Sequence, residues 1–302
     1  MKKRDFLTLR DLSSDEIRLV LERAIKFKSG VDANKCPLIG KSVGLLFEKA
    51  STRTRVSLEV GIYQLGAKAI YMNPREIQIG RGETIHDTAK VLSRYLAAVV
   101  IRTYSHDTLV EFASHSSVPV INGLSDLHHP CQALGDLMTI LERKGRVKGI
   151  RLAYVGDGNN VANSLIEAAA LLGINFTLAC PKGYEPSSDI LKQAATSADS
   201  EVSVVREPRE AVQNADVVYT DVWVSMGQEK EAARKKEKFK KYQLNGKLIS
   251  YANKDAIVLH CLPAHRGEEI TGEVIDGPRS VVFDQAENRL HTQKALLEFL
   301  LT

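Results

Sequence analysis

Four cysteines in 302 residues, with no C-x-x-C spacing among them, leave no basis for a disulfide framework or a structural zinc site. Cys36, Cys131, Cys180 and Cys261 lie far apart in the chain, and reduced thiols are the expectation. No apolar run approaches the ~20 residues that cross a bilayer. The start, Met1-Lys2-Lys3-Arg4-Asp5-Phe6, lacks the apolar segment of a secretory signal, so the expected place is the cytoplasm, away from any membrane. A strong excess of either charge is also missing. The 41 basic and 37 acidic residues are interspersed, and the net charge of +4 weakly favours anionic substrates without implying nucleic acid. One dense basic run, Arg234 to Lys241, has no aromatic platform beside it and reads as a solvated helix face. Low-complexity segments and short repeats are absent too.

What is present is enough apolar sequence, 44% of the chain, for two α/β domains. Short β-branched runs alternate with helical patterns, the signature of βαβ units and parallel sheets. Ser13 with Glu16 predicts a capping box opening a helix that buries Ile17, Leu21 and Ala24. A first series of strands is expected at Ser42–Phe47, Lys68–Met72, Ala98–Ile101 and Val118–Ile121, with a helix near Cys131–Leu141. The polar stretch Lys144 to Gly149 reads as a boundary. A second series follows at Arg151–Val155, Asn175–Cys180, Glu201–Val205, Asp216–Thr220 and Ala256–Leu259, and a terminal helix at about 286–301. The fold class is therefore α/β with two domains, each a mainly parallel sheet flanked by helices. Residues 1–145 form the first domain, joined by a C-terminal helix at about 286–302 that packs back on it, and 150–285 form the second.

The sharpest local signal is Phe47-Glu48-Lys49-Ala50-Ser51-Thr52-Arg53-Thr54-Arg55, between a strand and a helix. Unpaired N–H groups and the positive helix end favour a phosphate there, and the hydroxyls of Ser51, Thr52 and Thr54 with the fork of Arg53 can complete a cradle. An ordinary N-cap with surface arginines explains the same residues. Arg102 follows an apolar strand, and His129-Pro130-Cys131-Gln132 follows the next strand and its loop, both where α/β folds bind ligands. In Val155-Gly156-Asp157-Gly158-Asn159-Asn160-Val161 a dinucleotide fingerprint fails: Val161 stands at the third glycine, and the next strand ends at Cys180-Pro181 without an acidic residue for a ribose. A tight turn aiming Asn160 into a cleft is the better account. Asp221 and Ser225 suit a substrate ammonium, or a capped helix start. His260 and Cys261 are neighbours in an extended segment, so they are expected to point apart and not to share a metal.

Together these segments resemble the aspartate/ornithine carbamoyltransferase superfamily, whose carbamoyl-phosphate signature is Ser-Thr-Arg-Thr with a downstream Arg and His-Pro-x-Gln. The match runs in family order from Phe6 to the terminal helix, and Asp221 through Gly227 with His260-Cys261-Leu262-Pro263 fits the ornithine branch. The resemblance implies that Ser51, Thr52, Arg53, Thr54, Arg102, His129 and Gln132 hold carbamoyl phosphate, with Arg289 and the Cys261-Leu262 backbone at its carbamoyl end. It implies that Asn160, Asp221, Ser225 and Met226 hold ornithine, that Gln78 reaches a neighbouring subunit's site, and that the protein is a homotrimer. Arg102, His129 and Cys261 are the implied catalytic groups, with no metal and no cofactor. The implied reaction passes the carbamoyl group to the δ-amine of ornithine, giving citrulline and phosphate, in arginine biosynthesis. The alternatives are a putrescine acceptor, an aspartate acceptor, which needs cations that 221–229 lacks, a nicotinamide-dependent dehydrogenase, and an anion-binding module without turnover.

Overall fold

The computed structural model describes residues 3–31, 35–75, 78, 82–224 and 232–302. These fall into two compact units: residues 1–138 with 287–302, and the continuous stretch 139–286.

In the first unit, α1 (Ser14–Lys28) begins with the expected box: the hydroxyl of Ser13 accepts from the amide of Glu16, and the Glu16 carboxylate accepts from the amide of Ser13. Parallel strands follow in βα succession: β1 (Ser42–Phe47), α2 (Thr52–Gln64), β2 (Lys68–Met72), α3 (Ile85–Tyr95), β3 (Ala98–Arg102), α4 (His106–His115), β4 (Val120–Leu124) and α5 (Pro130–Lys144), which belongs to this unit as far as Met138. Their order is β2-β1-β3-β4. Every residue of β3 is buried, as befits a parallel strand covered on both faces. Val99 and Ile101 pack with Leu46, Leu109, Phe112 and Val120 in one core.

β4 starts two residues later than expected and runs on through Asn122-Gly123-Leu124. Pro119 has no N–H to give a ladder, and the strand is completed by Phe6, whose amide donates to the carbonyl of Val120 while its carbonyl accepts from Asn122.

The second unit continues with β5 (Arg151–Val155), α6 (Asn160–Leu172), β6 (Asn175–Ala179), α7 (Ser188–Ala194), β7 (Val202–Val205), α8 (Pro208–Val212), β8 (Val217–Thr220), α9 (Ala232–Phe239), α10 (Gly246–Ile249), β9 (Ile257–Leu259) and α11 (Gly272–Ile275). All five strands are parallel, in the order β7-β6-β5-β8-β9. Val155, Val218 and Val258 share a core with Trp223, Phe239, Tyr242 and Leu248.

The last helix, α12 (Val282–Leu301), starts four residues earlier than expected. From Glu287 onward it belongs to the first unit, where Glu298 takes a two-pronged ion pair from Arg23, Asn288 accepts from Lys28, and Lys294 donates to Gln64.

In each sheet the chain starts near the middle and winds outward both ways. The reversal lies between β1 and β3 in the first sheet and between β5 and β8 in the second. Ligands of open α/β sheets bind beyond the carboxyl ends of the strands at such points.

Candidate active site

At the first reversal, the loop after β1 turns into α2 at the phosphate-cradle motif. Both readings of that motif hold at once: the Ser51 hydroxyl caps the helix by accepting from the amide of Thr54. Thr52 is exposed, Arg53 half-buried and Thr54 buried. The Thr54 hydroxyl accepts from Nη2 of Arg289 at 2.6 Å, so α12 closes this centre. Gly135 makes that approach possible, because a Cβ there would lie 3.0 Å from Cγ of Arg289. Arg55 turns away, paired to Glu59 and stacked 3.6 Å over the ring of Tyr71.

Arg102, last in β3, is buried, and its carbonyl accepts from the amide of Glu48. Glu48 in turn accepts from the Thr103 hydroxyl and the Tyr104 amide through one oxygen, clamping the loop after β3 to the loop after β1. Pro130 occupies the first position of α5, where no N–H is needed, and leaves His129 at its mouth. Burial, followed by the guanidiniums of Arg289, Arg102 and Arg53, holds the His129 ring well below the ordinary histidine range, so it is neutral near pH 7. Three cations thus surround an uncharged imidazole. Gln132 donates from Nε2 to Asp136 one turn on, and its buried Oε1 has no hydrogen-bond partner. Cys131, by contrast, points into the core: its thiol donates to the carbonyl of Asn122, and burial pushes it up to about 12. Gln78 is exposed, and residues 76–77 and 79–81 beside it lie outside the described ones.

At the second reversal, Asn159, the residue before Asn160, ties the turn together. Its Oδ1 caps α6 by accepting from Val161 and Ala162, and its Nδ2 donates to Oδ2 of Asp221 at 2.8 Å. Tyr154 donates to the same Oδ1, and burial together with Asp221 and Cys261 raises its hydroxyl well above the usual range, so it stays a donor. Asn160, half-buried, opens the helix. The thiol of Cys261 donates to Oδ1 of Asp221 at 2.8 Å. Ser225 and Met226 lie outside the described residues.

Gly158 owes its identity to packing. A Cβ there would meet the backbone of Pro186 at 2.3 Å, and its N–H is spent on the carbonyl of Tyr184, which closes the turn to a pyrophosphate.

The expected divergence of His260 and Cys261 is corrected by the structure: donor atoms of both, with one of Asp221, lie within 4.8 Å of one another. The chain is not extended there. Leu262 has φ +55°, a strained value for a residue with a side chain, and its amide donates to Nδ1 of His260 at 2.8 Å. Nε2 of His260 faces Glu269 at 3.1 Å, so both ring nitrogens are engaged within the protein. The basic run is corrected in one place as well. Lys236, Lys240 and Lys241 make surface ion pairs, but Lys235 turns inward to a buried contact with Asp157 at 2.6 Å.

Two doubly wound parallel sheets thus carry, at their reversals, a cationic cradle with a neutral histidine in the first unit and a carboxylate–thiol pair in the second, groups suited to an anion and to a cationic group respectively. Residues 4–142 match the model of the aspartate/ornithine carbamoyltransferase carbamoyl-P binding domain, and residues 148–300 match that of the Asp/Orn binding domain. The chain belongs to the aspartate/ornithine carbamoyltransferase family and is a carbamoyltransferase.

An ornithine carbamoyltransferase from Syntrophus aciditrophicus is 55% identical over 99% of this chain and 100% of its own length. The solved ornithine carbamoyltransferase of Pyrococcus furiosus superposes with a TM-score of 0.94 at 50% identity, covering 99% of this chain and 97% of that one. The anabolic enzyme of Campylobacter jejuni also gives 0.94, at 43% identity over 98% of both chains.

Proposed function

We infer that the protein is an ornithine carbamoyltransferase, moving the carbamoyl group of carbamoyl phosphate to the δ-amine of L-ornithine to give L-citrulline and phosphate. The observation that carries the choice of acceptor is the contact between the Asp221 carboxylate and the Cys261 thiol. An acidic group fits the ammonium of a basic amino acid and repels the second carboxylate of aspartate.

In this reading the phosphate sits at the start of α2 on Ser51, Thr52, Arg53 and Thr54. Arg102, neutral His129 and Thr54 stabilise the carbamoyl oxygen as negative charge builds on it, with Arg289 holding Thr54 in place. The open acceptor Oε1 of Gln132 takes an N–H of the carbamoyl group. Asn160, Asp221, Ser225 and Met226 bind the α-amino and carboxylate groups of ornithine, and Asn159 orients Asp221.

The lone pair of the δ-nitrogen forms the new C–N bond. The C–O bond to phosphate breaks with its electrons going to phosphate, and the proton that the nitrogen gives up is taken by the departing phosphate. That amine, with an intrinsic pKa near that of lysine at ~10.4, must enter the step neutral. Cys261 beside Asp221 is the group suited to assist that deprotonation.

The finer assignments are a biosynthetic direction, as in the anabolic Campylobacter relative, and a homotrimer. An outward apolar face formed by Val56, Val60 and Tyr63 of α2 supports association, as does Ile70 on the edge strand β2. Gln78, exposed in the first unit, is the residue we assign to a neighbouring subunit's site. The four free cysteines suit a reducing cytoplasm, and among the described residues no helix is long and apolar enough to cross a membrane.

The test is incubation with carbamoyl phosphate and either ornithine, putrescine or aspartate. Citrulline is the expected product, and a failure to form it from ornithine overturns the reading.

A further inference from the structure

We propose that His265, Glu268 and Glu269 form a divalent-cation site of the imidazole–carboxylate type, distinct from the Asp221–Cys261 pair. One donor atom from each of the three residues lies within 4.8 Å of the other two. Nδ1 of His265 is 4.0 Å from Oε2 of Glu268 and 3.9 Å from Oε2 of Glu269. These distances are too long for hydrogen bonds.

Ligand bonds of ~2.0–2.2 Å would set neighbouring donors roughly 3–3.5 Å apart. The two His265–glutamate separations therefore need to shorten by up to about 1 Å around an ion, and the half-exposed His265 side chain can supply that by rotation.

The independent observation is Glu269. Its side chain is fully buried, and Oε2 accepts no hydrogen bond although it is directed at the His265 ring. Buried acceptors are nearly always satisfied, and an isolated one calls for a partner. The other oxygen fixes the direction: Oε1 accepts from the amide of His265 at 2.6 Å and faces Nε2 of His260 at 3.1 Å. Outer hydrogen bonds of this kind orient metal ligands.

Glu268 is divided in the same way. Its Oε1 is held by Lys236 at 2.5 Å, while Oε2 faces the histidine. The Lys236 ammonium is an adverse charge beside the cluster. Arg266 is neutralised by two contacts to Asp276.

Two carboxylate oxygens and one imidazole suit divalent first-row ions, the harder Mn²⁺ as well as the borderline Co²⁺ and Zn²⁺. Mn²⁺ separates this site from the nearby thiol, which prefers softer metals.

The experiment titrates the full-length protein with MnCl₂ and follows loss of the free-ion signal by electron paramagnetic resonance. One Mn²⁺ per chain is expected. His265→Ala and Glu268→Gln, both at accessible positions and checked for unchanged thermal unfolding, should each weaken binding about tenfold or more. Cys261→Ser should leave it unchanged. No bound Mn²⁺ at millimolar concentration overturns the proposal, as does binding that survives both substitutions or disappears with Cys261→Ser. Carbamoyl transfer is not part of the readout, so the outcome stands apart from the assignment of the reaction.

Discussion

Oδ1 of Asp221 receives the thiol of Cys261 at 2.8 Å, while its Oδ2 receives the amide of Asn159 at the same distance. The carboxylate is thereby held from both sides, by the segment after β9 and by the cap of α6. Such a group is set in place before any substrate arrives.

Asp221→Asn should raise the KM for ornithine and lower kcat/KM with respect to it by roughly 10- to 150-fold, the equivalent of about 1.5–3 kcal/mol for a hydrogen bond to a charged group. The KM for carbamoyl phosphate should change much less. Cys261→Ala should show the same asymmetry in weaker form. Steady-state kinetics with each substrate varied in turn measures this, and equal losses on both sides would contradict the division of roles.

Gly135→Ala should displace Arg289, since the new methyl would sit 3.0 Å from its Cγ on a tightly packed helix pair. Overpacking of this kind costs about 1–3 kcal/mol. The expected result is a lower melting temperature together with a raised KM for carbamoyl phosphate, because the Arg289–Thr54 contact is disturbed. A variant with wild-type kinetics would show that Arg289 does not set the geometry of Thr54.

Stability should fall on the acid side of neutrality. Burial, and secondarily His106, lowers the His128 ring from 6.5 to about 4, and His106 and His129 shift the same way. The fold holds these rings neutral, whereas the unfolded chain takes up protons near pH 6.5. Between that pH and about 4 the unfolded state therefore binds more protons, and stability drops as pH falls by up to ~1.4 kcal/mol per pH unit for His128 alone. Urea midpoints at neutrality and near about pH 5 test this. His128→Gln should show a shallower decline, and an unchanged slope would remove His128 as its source.

Much of the architecture was legible because parallel strands buried on both faces read as continuous β-branched runs: Ala98-Val99-Val100-Ile101 and Val217-Val218-Tyr219-Thr220 advertise themselves. The limits of β4 were hidden because Asn122 and Gly123 look like turn residues, and their strand form rests on partners remote in the chain, β3 on one side and Phe6 on the other. Within the candidate site, hydroxyls and guanidiniums were visible from their placement after strands. Gly135 and Glu48 were not, since each acts through a partner remote in the chain, Arg289 and Thr103 respectively. Lys235 was masked by its company, one inward lysine in a run of outward ones. The left-handed leucine after Cys261, whose amide returns to the His260 ring, is signalled by no propensity.

The cradle also has a birth order. Its threonine belongs to the first fifth of the sequence, while the arginine that grips it lies in the stretch 287–302 that completes the first unit. A ribosome emits the whole of residues 139–286 between the two. The continuous second unit can settle during synthesis. The first must wait for the helix that carries Arg289, so a polypeptide cut short before residue 287 would carry the entire phosphate motif and lack the arginine that braces it.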